Sequence, residues 1–321
     1  MPKYIAGRLV NGFITFFISI TITFIIVRAM PADPVAIMID PRMSPEIQQM
    51  TLERFGLDRP IHEQYIIYIR DIFRGDLGTS FRMNQPVTEV LMQRLPWTLL
   101  LLVLTVCFTL LIGIPVGIFA ACRSRQFADR VINFLVTLGI SIFLPFLAFG
   151  LLYLFAYVLR WFPTGGAFRP PAPEGFALVR DVLRHAVLPS LALIITNLAG
   201  IVLYTRNSMN DVLREDYIRT AYAKGLSSKK VVRVHAIKNA LIPTVTITGI
   251  MIGTMVGGAV MTETIFAWPG IGRLIFDSVN GLDYPVIQGA FIILAATVIL
   301  MNIIVDLVVA WLDPRIRLGG G

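Results

Sequence analysis

Six long stretches of this chain contain no charged residue, and this feature limits the possible folds more than any other. They are residues 9–27, 95–122, 131–159, 186–205, 239–262 and 284–305. Each is close to or above the ~20 residues that a helix needs to cross a hydrocarbon core of ~30 Å. Lipid admits only helices and closed barrels, and these stretches lack the alternation of a barrel strand. We therefore expect an all-α integral membrane protein with six transmembrane helices.

The first apolar stretch has an alternative interpretation as a cleaved signal peptide, with Lys3 and Arg8 as its basic end. Its uncharged run of 19 residues is longer than a signal core, which usually has about 7–15 residues. Residues 30–33 (MPAD) also match the small-residue pattern of a cleavage site poorly. We therefore predict a retained helix.

Residues that would support catalysis or metal binding are sparse. Cys107 and Cys122 fall in or at the end of one apolar stretch, where one helix cannot bring them together as a disulfide. His62 and Glu63 stand in HEQYI, which lacks the second histidine of a zinc-protease motif. Asp306 lies near the end of the last stretch, where we favour a structural pairing and keep a transport role as the alternative. We predict no catalytic residue and no metal site in this chain.

Lysine and arginine are distributed unevenly between the connecting segments. With both termini in the cytoplasm, segments 1–8, 123–130, 206–238 and 313–321 hold 15 of them in 58 residues, against 13 in 114 residues on the other side. All five lysines fall on the first side. This asymmetry agrees with the positive-inside rule and predicts cytoplasmic termini. The net charge of +8 then needs no nucleic-acid partner.

The longest predicted cytoplasmic loop contains DYIRTAYAKGLSSKKVVRVHAIKNALIP at residues 216–243. Helical spacing before Gly225 predicts a short helix that ends in a left-handed glycine. A serine after it can cap a second short helix, and Pro243 can begin the next transmembrane helix. The second helix has an apolar stripe at Val231, Val234, Ile237 and Leu241. On these grounds the loop is either a docking surface for a soluble partner or a basic helix held by lipid phosphates.

The same stretch resembles the EAA loop in permease subunits of bacterial ABC importers. In that motif Glu-Ala-Ala is followed by three residues and Gly, and the loop ends in an apolar residue before Pro. Here Arg219, Thr220 and Ala221 stand at the Glu-Ala-Ala positions, Gly225 follows, and Pro243 closes the loop. The missing glutamate and the longer interval between Gly and Pro are similar to the dipeptide, oligopeptide and nickel permease branch.

Further segments resemble the same branch, in the same order along nearly the whole chain. They are MPADP (30–34), FGLDRPIHEQY (55–65), GDLGTSF (75–81), RLPWTLLL (94–101), TRNSMNDVLREDY (205–217), ETIFAWPGIGRL (263–274), DYPVIQG (283–289) and DPRIR (313–317). The resemblance implies the type I ABC importer permease fold and a bacterial inner membrane location. It also implies that ATP and Mg²⁺ are bound by partner ATPases, since this chain has no GxxxxGK[ST] motif.

The resemblance divides the chain into four parts. They are the N-terminal end with the first helix (1–29), an external region with short amphipathic helices (30–94), a core of five helices (95–312) and a cytoplasmic tail (313–321). The core includes a coupling loop at 206–240 and an external loop at 263–283. Implied contacts of the coupling loop to an ATPase are Asp216, Tyr217, Arg219, Thr220, Ala221, Ala223, Lys224, Gly225 and Pro243. Candidates for an external gate are Glu263, Phe266, Pro269, Gly270 and Gly272.

Helix signals in the external region predict one helix from Ser44 to Gly56 and another from Pro60 to Gly75. We expect these helices to form a small cap that contacts a binding protein, and the alternative is that they lie on the outer leaflet. In the external loop, Trp268 is expected to be an anchor at the membrane interface.

The resemblance implies a permease subunit that forms half of the path for di- or oligopeptides. Its expected partners are a second, homologous permease, two cytoplasmic ATPases, an external solute-binding protein and membrane lipid. Nickel and glutathione uptake remain open as alternative substrates for the same kind of subunit. An ion-coupled secondary transporter is the alternative of another class, and it should carry several intramembrane charges and no docking loop.

Overall fold

The computed structural model describes residues 2–29, 46 and 59–312. In chain order the helices are α1 (Pro2–Ala29), α2 (Ile61–Phe73), α3 (Val87–Cys122), α4 (Phe127–Ser141), α5 (Leu144–Val158), α6 (Phe176–Val212), α7 (Asp216–Ala223), α8 (Ser228–Ile265), α9 (Ile271–Asn280) and α10 (Tyr284–Leu312). Apart from one isolated bridge between Thr79 and Pro86, the described residues form no β-structure. The predicted all-α class is confirmed.

Five of the described helices, α1, α3, α6, α8 and α10, are long and apolar enough to cross a membrane by length and composition. The bent pair of α4 and α5 supplies a sixth span if the two are counted together. Each of the six uncharged stretches therefore corresponds to one of these units. The prediction of six spans holds with that count.

The third uncharged stretch is not one straight helix, because α4 and α5 meet at an angle of 99°. Ile142 and Phe143 are extended between them, with ψ angles of 122° and 116°. Pro145 explains the break: it has no N–H to donate to the carbonyl of Ser141, and its ring would clash with that carbonyl in a continuous helix. The chain therefore ends α4 and begins α5 with the proline in its first turn.

Helices α3 and α6 pack closely through small residues. A Cβ added at Gly117 would lie 2.7 Å from Cβ of Thr205 and 2.9 Å from the carbonyl oxygen of Val202. A Cβ at Gly113 would lie 2.8 Å from Ile201. These glycines let the two backbones approach, as small residues commonly do between membrane helices.

Helices α1 and α10 pack against each other along much of their length. Gly12 of α1 faces Ile299 of α10, since an added Cβ would lie 3.1 Å from it. Near the same end, Nη1 of Arg8 lies 3.1 Å from Oδ2 of Asp306. The structure therefore gives Asp306 the structural pairing that the sequence favoured.

Helix α2 lies beside α1 rather than beyond its end. The hydroxyl groups of Tyr65 and Thr21 are 2.8 Å apart, and the ring of Phe73 packs 6.3 Å from that of Phe13. Both contacts on α1 fall inside the uncharged stretch 9–27. The predicted helix from Ser44 to Gly56 falls almost wholly outside the described residues.

The loop before α3 is fixed to the start of α10 by a buried carboxylate. Asp283 accepts hydrogen bonds from the Ser80 hydroxyl at 2.5 Å and from the backbone N–H groups of Phe81 at 3.0 Å and Arg82 at 3.3 Å. The aspartate and the serine are both buried. Their contact therefore fixes the loop before α3 to the start of α10.

Candidate functional site

The coupling loop contains the short, well-anchored helix α7. Gly225 follows it with φ of +79°, the left-handed conformation that the sequence predicted. The N–H of Gly225 donates to the carbonyl of Tyr222 at 2.9 Å, and the N–H of Leu226 donates to that of Ala221 at 3.4 Å. This pair of bonds is a Schellman motif, which satisfies the last carbonyls of the helix.

Helix α7 has one buried face and one exposed face. Ile218 and Ala221 are buried in an apolar cluster with residues of α6 and α8. Most of the predicted contact residues are exposed on the outer side: Asp216, Tyr217, Arg219, Thr220, Ala223, Lys224 and Gly225. The loop therefore presents a fixed helix with an exposed outer surface to whatever lies beyond it.

The part of the loop after Gly225 differs from the prediction, because no separate second helix forms. Ser227 takes the N-cap position of α8, without a side-chain cap hydrogen bond, and α8 then runs unbroken to Ile265. Its second turn is π-helical, at Val231–Ala236. The wider turn shifts the apolar face: Val231, Ala236 and Ala240 are buried, whereas Val234 of the predicted stripe is 56% exposed.

Pro243 does not begin a helix, as the sequence suggested, but lies inside α8. It has no N–H for the carbonyl of Asn239, yet the helix continues. The nearby carbonyl of Ala240 accepts a hydrogen bond from the Ser208 hydroxyl of α6 at 2.8 Å. That bond holds α6 against α8 beside the proline, although the carbonyl freed by Pro243 is that of Asn239.

One further polar contact joins two parts of the coupling loop, and another lies within α7. Nδ2 of Asn239 donates to the Tyr217 hydroxyl at 2.8 Å, which ties α7 to α8. Arg219 lies 3.3 Å from Asp216 one turn away, and both side chains are largely exposed. An exposed pair of this kind adds little stability. The tyrosine contact and the apolar face therefore position α7.

An ion pair that sequence reasoning missed lies close to the same end of the bundle. The guanidinium of Arg206 on α6 donates to both carboxylate oxygens of Asp129 on α4, at 2.6 and 2.9 Å. Asp129 also accepts from the backbone N–H of Arg125 at 2.8 Å and from the Asn133 amide at 2.9 Å. The sequence offered one signal for this ion pair: Asp129 is the only acidic residue in the short basic segment 123–130.

The predicted gate residues lie at the opposite end of α8, around the buried carboxylate of Glu263. One oxygen accepts from the Thr98 hydroxyl at 2.7 Å, and the other accepts from the backbone N–H of Arg273 at 3.1 Å. The Thr98 oxygen in turn accepts from the N–H of Ile271 at 2.8 Å. Glu263 therefore joins α8 to α3 and to the start of α9.

The two predicted gate glycines are required by this arrangement. A Cβ at Gly270 would collide with the carboxylate of Glu263, and one at Gly272 would lie 2.6 Å from Cα of Val260. Phe266 is buried, and its carbonyl accepts from the N–H of Gly166 at 3.0 Å. Pro269 is half-buried.

The expectation that Trp268 is an interfacial anchor was wrong, because its side chain is fully buried. Its ring packs perpendicular to that of Trp97 at 5.7 Å, and Nε1 donates to the Trp97 carbonyl at 3.0 Å. Trp268 therefore joins the turn after α8 to α3, beside the Glu263 contacts. Within the described part of the chain, no three His, Cys, Asp or Glu side chains are grouped as a metal site.

Comparison with known proteins assigns this chain to a family. The family described as "Binding-protein-dependent transport system inner membrane component" matches residues 113–318. The family that describes the N-terminal part of such membrane components matches residues 1–102. The chain is 40% identical over 321 residues to the oligopeptide transport system permease protein AppB of Bacillus subtilis (strain 168), covering 99% of this chain and 100% of that protein.

Two other similarities support the same assignment. The dipeptide transport system permease protein DppB of Escherichia coli (strain K12) is 39% identical over 339 residues, covering 99% of each protein. An inward-facing structure of the MetNI methionine ABC transporter has a TM-score of 0.56 and 19% identity, covering 72% of this chain and 100% of that one. It confirms the predicted ABC importer permease fold. This chain therefore belongs to the family of inner membrane components of binding-protein-dependent transport systems.

Proposed function

We propose that this chain is one of two permease subunits in an ATP-driven importer and forms half of the path for di- or oligopeptides. Its relatives AppB and DppB are described as peptide permeases, and the similarity extends along the whole chain. A solute-binding protein would deliver the peptide from outside the cell. Two cytoplasmic ATPases, which would bind ATP and Mg²⁺, would supply the energy.

The exposed face of α7 is the observation that best supports an ATPase as a partner. Tyr217, Thr220 and Lys224 lie three and four positions apart, so they share one face of the helix, and all three are exposed. Ile218 and Ala221, on the adjoining side of the helix, are buried and fix it in place, so Ala221, which was also a predicted contact, does not reach the outer surface. A short rigid helix with a free outer surface suits insertion into a cleft on a soluble subunit.

Coupling requires that movement of α7 reaches the membrane helices. Helix α7 packs in one apolar cluster with α6 and α8, through residues such as Met209 and Val231. ATPase closure and a loaded binding protein would have to favour the same state of the membrane part, since each shifts the equilibrium only by its differential affinity.

We place the external gate at the Glu263 end of α8. The residues Glu263, Phe266, Pro269, Gly270 and Gly272 form a compact corner there, with close packing at both glycines. A corner that ties α3, α8 and α9 together would move as a unit. Its polar contacts would then stabilise one of the two states of the path.

The termini and the coupling loop would face the cytoplasm of a bacterial cell. Single cysteines at Ser228 and Met83 should react with impermeant reagents from opposite sides of the membrane, after Cys107 and Cys122 have been replaced. Both positions are exposed, whereas the nearby Ser80 is buried and would report poorly. Labelling of both positions from one side would contradict the topology.

The functional test is reconstitution of the chain in proteoliposomes with a second permease, the ATPases and the binding protein. The single chain should hydrolyse no ATP, and the assembly should import a labelled dipeptide only with ATP. Calorimetry of the binding protein with dipeptide, Ni²⁺ and glutathione would separate the three substrates. Uptake driven by an ion gradient without ATP would refute the importer function.

A further inference from the structure

A cavity of about 570 Å³ lies between α1, α2, the loop that follows α2 and the beginning of α10. Ligand sites commonly occupy about 300–1,000 Å³. Charged and amide side chains line part of this cavity. Its lining includes Arg28, Arg59, Gln64, Arg70 and Gln288. None of its lining residues belongs to the coupling loop or to the Glu263 corner.

Three residues of this lining carry buried polar atoms that have no hydrogen-bond partner in the described structure. They are Nε of Arg28, Oε1 of Gln64 and Nε2 of Gln288. Nε2 of Gln64 donates to the carbonyl of Arg59 at 2.7 Å, which fixes the orientation of that amide. A buried polar atom that finds no hydrogen-bond partner destabilises the folded chain. Three such atoms from α1, α2 and α10 line one cavity, where a single polar ligand can bond all of them.

The hydrogen-bonding character of these atoms defines the occupant. Arg28 and Gln288 offer donors, and Arg28 also brings a positive charge, so they suit an anionic acceptor. Gln64 offers an acceptor, so the occupant must also carry a donor. The acidic residues of the lining already have local partners: Asp71 pairs with Arg70 at 3.1 Å, and Asp76 accepts from the N–H of Gly78 at 2.8 Å. A phosphate ester with a neighbouring hydroxyl or ammonium group fits this set.

The surroundings favour a lipid as the source of the phosphate. Helix α2 exposes Ile61, Ile66 and Phe73, by 66%, 64% and 58%. The same helix contacts α1 at Phe13 and Thr21, inside an uncharged stretch that is long enough to span a membrane. Acyl chains would therefore find apolar surface directly beside the polar cavity. A free phosphate ion would make no use of this surface.

We propose that this cavity binds the headgroup of a membrane phospholipid. Arg28 and Gln288 hold the phosphate, and a headgroup hydroxyl or ammonium donates to Gln64. Basic pockets between membrane helices bind lipid headgroups by the same physics. The bound lipid joins α2 to α1 and α10 and fills the space between them. Lipid binding at this site is proposed whichever substrate the importer transports.

The test uses the full chain, purified in detergent and stripped of lipid, with short-chain phosphatidylglycerol as the probe. Thermal unfolding should shift upward with added lipid for the wild-type chain. Arg28→Gln should need at least ten-fold more lipid for the same shift. Arg74→Gln is the matched control, because this exposed arginine lies at the end of α2 outside the cavity, and it should respond like the wild type.

Other probes separate the lipid from competing occupants. Diacylglycerol without a phosphate should give little shift, and millimolar inorganic phosphate should not replace the phospholipid. An equal response to diacylglycerol, or full replacement by phosphate, overturns the proposal. So does an unchanged lipid response in Arg28→Gln, which would indicate a cavity filled by water. Should that variant fail to fold, Gln288→Leu should lose lipid retained in native mass spectrometry, and full retention overturns the proposal.

Discussion

Substitution of Gly225 should weaken ATPase docking without removing the chain from the membrane. The φ angle of +79° places this residue in the left-handed region, and a Cβ built there meets no atom within 4 Å. The penalty for a side chain is therefore the conformational one alone, about 1–2 kcal/mol. Because that energy corresponds to a factor of at most about 5–30 in an equilibrium constant, Gly225→Ala should weaken docking by up to that factor, through undocked loops that leave the left-handed turn.

A graded series at this position makes the prediction sharper. Gly225→Asn should dock more tightly than Gly225→Ala, since asparagine tolerates the left-handed conformation. Gly225→Val should be the weakest, because a β-branched side chain is least compatible with positive φ. The assay titrates the purified ATPase onto the permease in nanodiscs, and measures substrate-stimulated hydrolysis in the complete importer. Membrane abundance should remain that of the wild type.

The alternative role of this loop, a basic surface held by lipid phosphates, predicts a different pattern. Lys229 and Lys230 are exposed and would supply that attraction. The double variant Lys229→Gln/Lys230→Gln therefore serves as the comparison. If Gly225→Val keeps full docking and transport while the lysine variant loses both, basic charge matters and the argument from the glycine turn is wrong.

Three further predictions concern the contacts that hold the bundle. Asp129→Asn should lower the free energy of unfolding by about 1–3 kcal/mol, since the part-buried guanidinium of Arg206 loses its charged hydrogen-bond partner. Thr98→Val should cost about 1–3 kcal/mol per lost partner, because a carboxylate oxygen of Glu263 and a backbone N–H both lose their contacts. Gly117→Ala should cost about 1–3 kcal/mol through overpacking against α6. Thermal unfolding in detergent measures all three.

Matched substitutions test whether these losses are specific. Asp211→Asn removes an exposed carboxylate from α6, and Thr246→Val removes an exposed hydroxyl from α8. Gly200→Ala adds a Cβ to α6 where no atom lies within 4 Å. Each control should unfold close to the wild-type temperature. A test variant that unfolds no earlier than its control would show that its contact contributes little.

The helices were predictable because the membrane imposes a simple rule, that about 20 uncharged residues form one span. The break between α4 and α5 was harder to predict, because Pro145 is one of several prolines inside apolar stretches. Pro96, Pro115 and Pro189 lie within continuous helices. Whether a proline breaks or merely enters a helix depends on whether neighbouring groups satisfy the freed carbonyl, and the sequence of one helix does not contain that information.

The coupling loop illustrates the same limit at a smaller scale. The left-handed conformation of Gly225 was predictable, since glycine is the residue that most readily adopts it after a helix. The π-helical turn at Val231–Ala236 was not, and it moved Val234 from the expected buried face to the surface. The pair of Asp129 and Arg206 joins residues 77 apart in the chain, so no local spacing could reveal both partners.

Helix α8 gives the proposed coupling loop and gate a direct physical connection. It runs without interruption from Ser228 to Ile265, 38 residues, which at 1.5 Å per residue is roughly 57 Å. The cluster that fixes α7 holds its first turns, and Glu263 fixes its last turn to α3 and α9. A displacement of α7 therefore either moves the Glu263 corner or bends the helix between them. The π-helical turn and Pro243 are the places where such bending is least costly, because the regular hydrogen bonds are already altered there. Stiffening the helix at Pro243 should thus change how much of the motion reaches the gate, while leaving α7 docked.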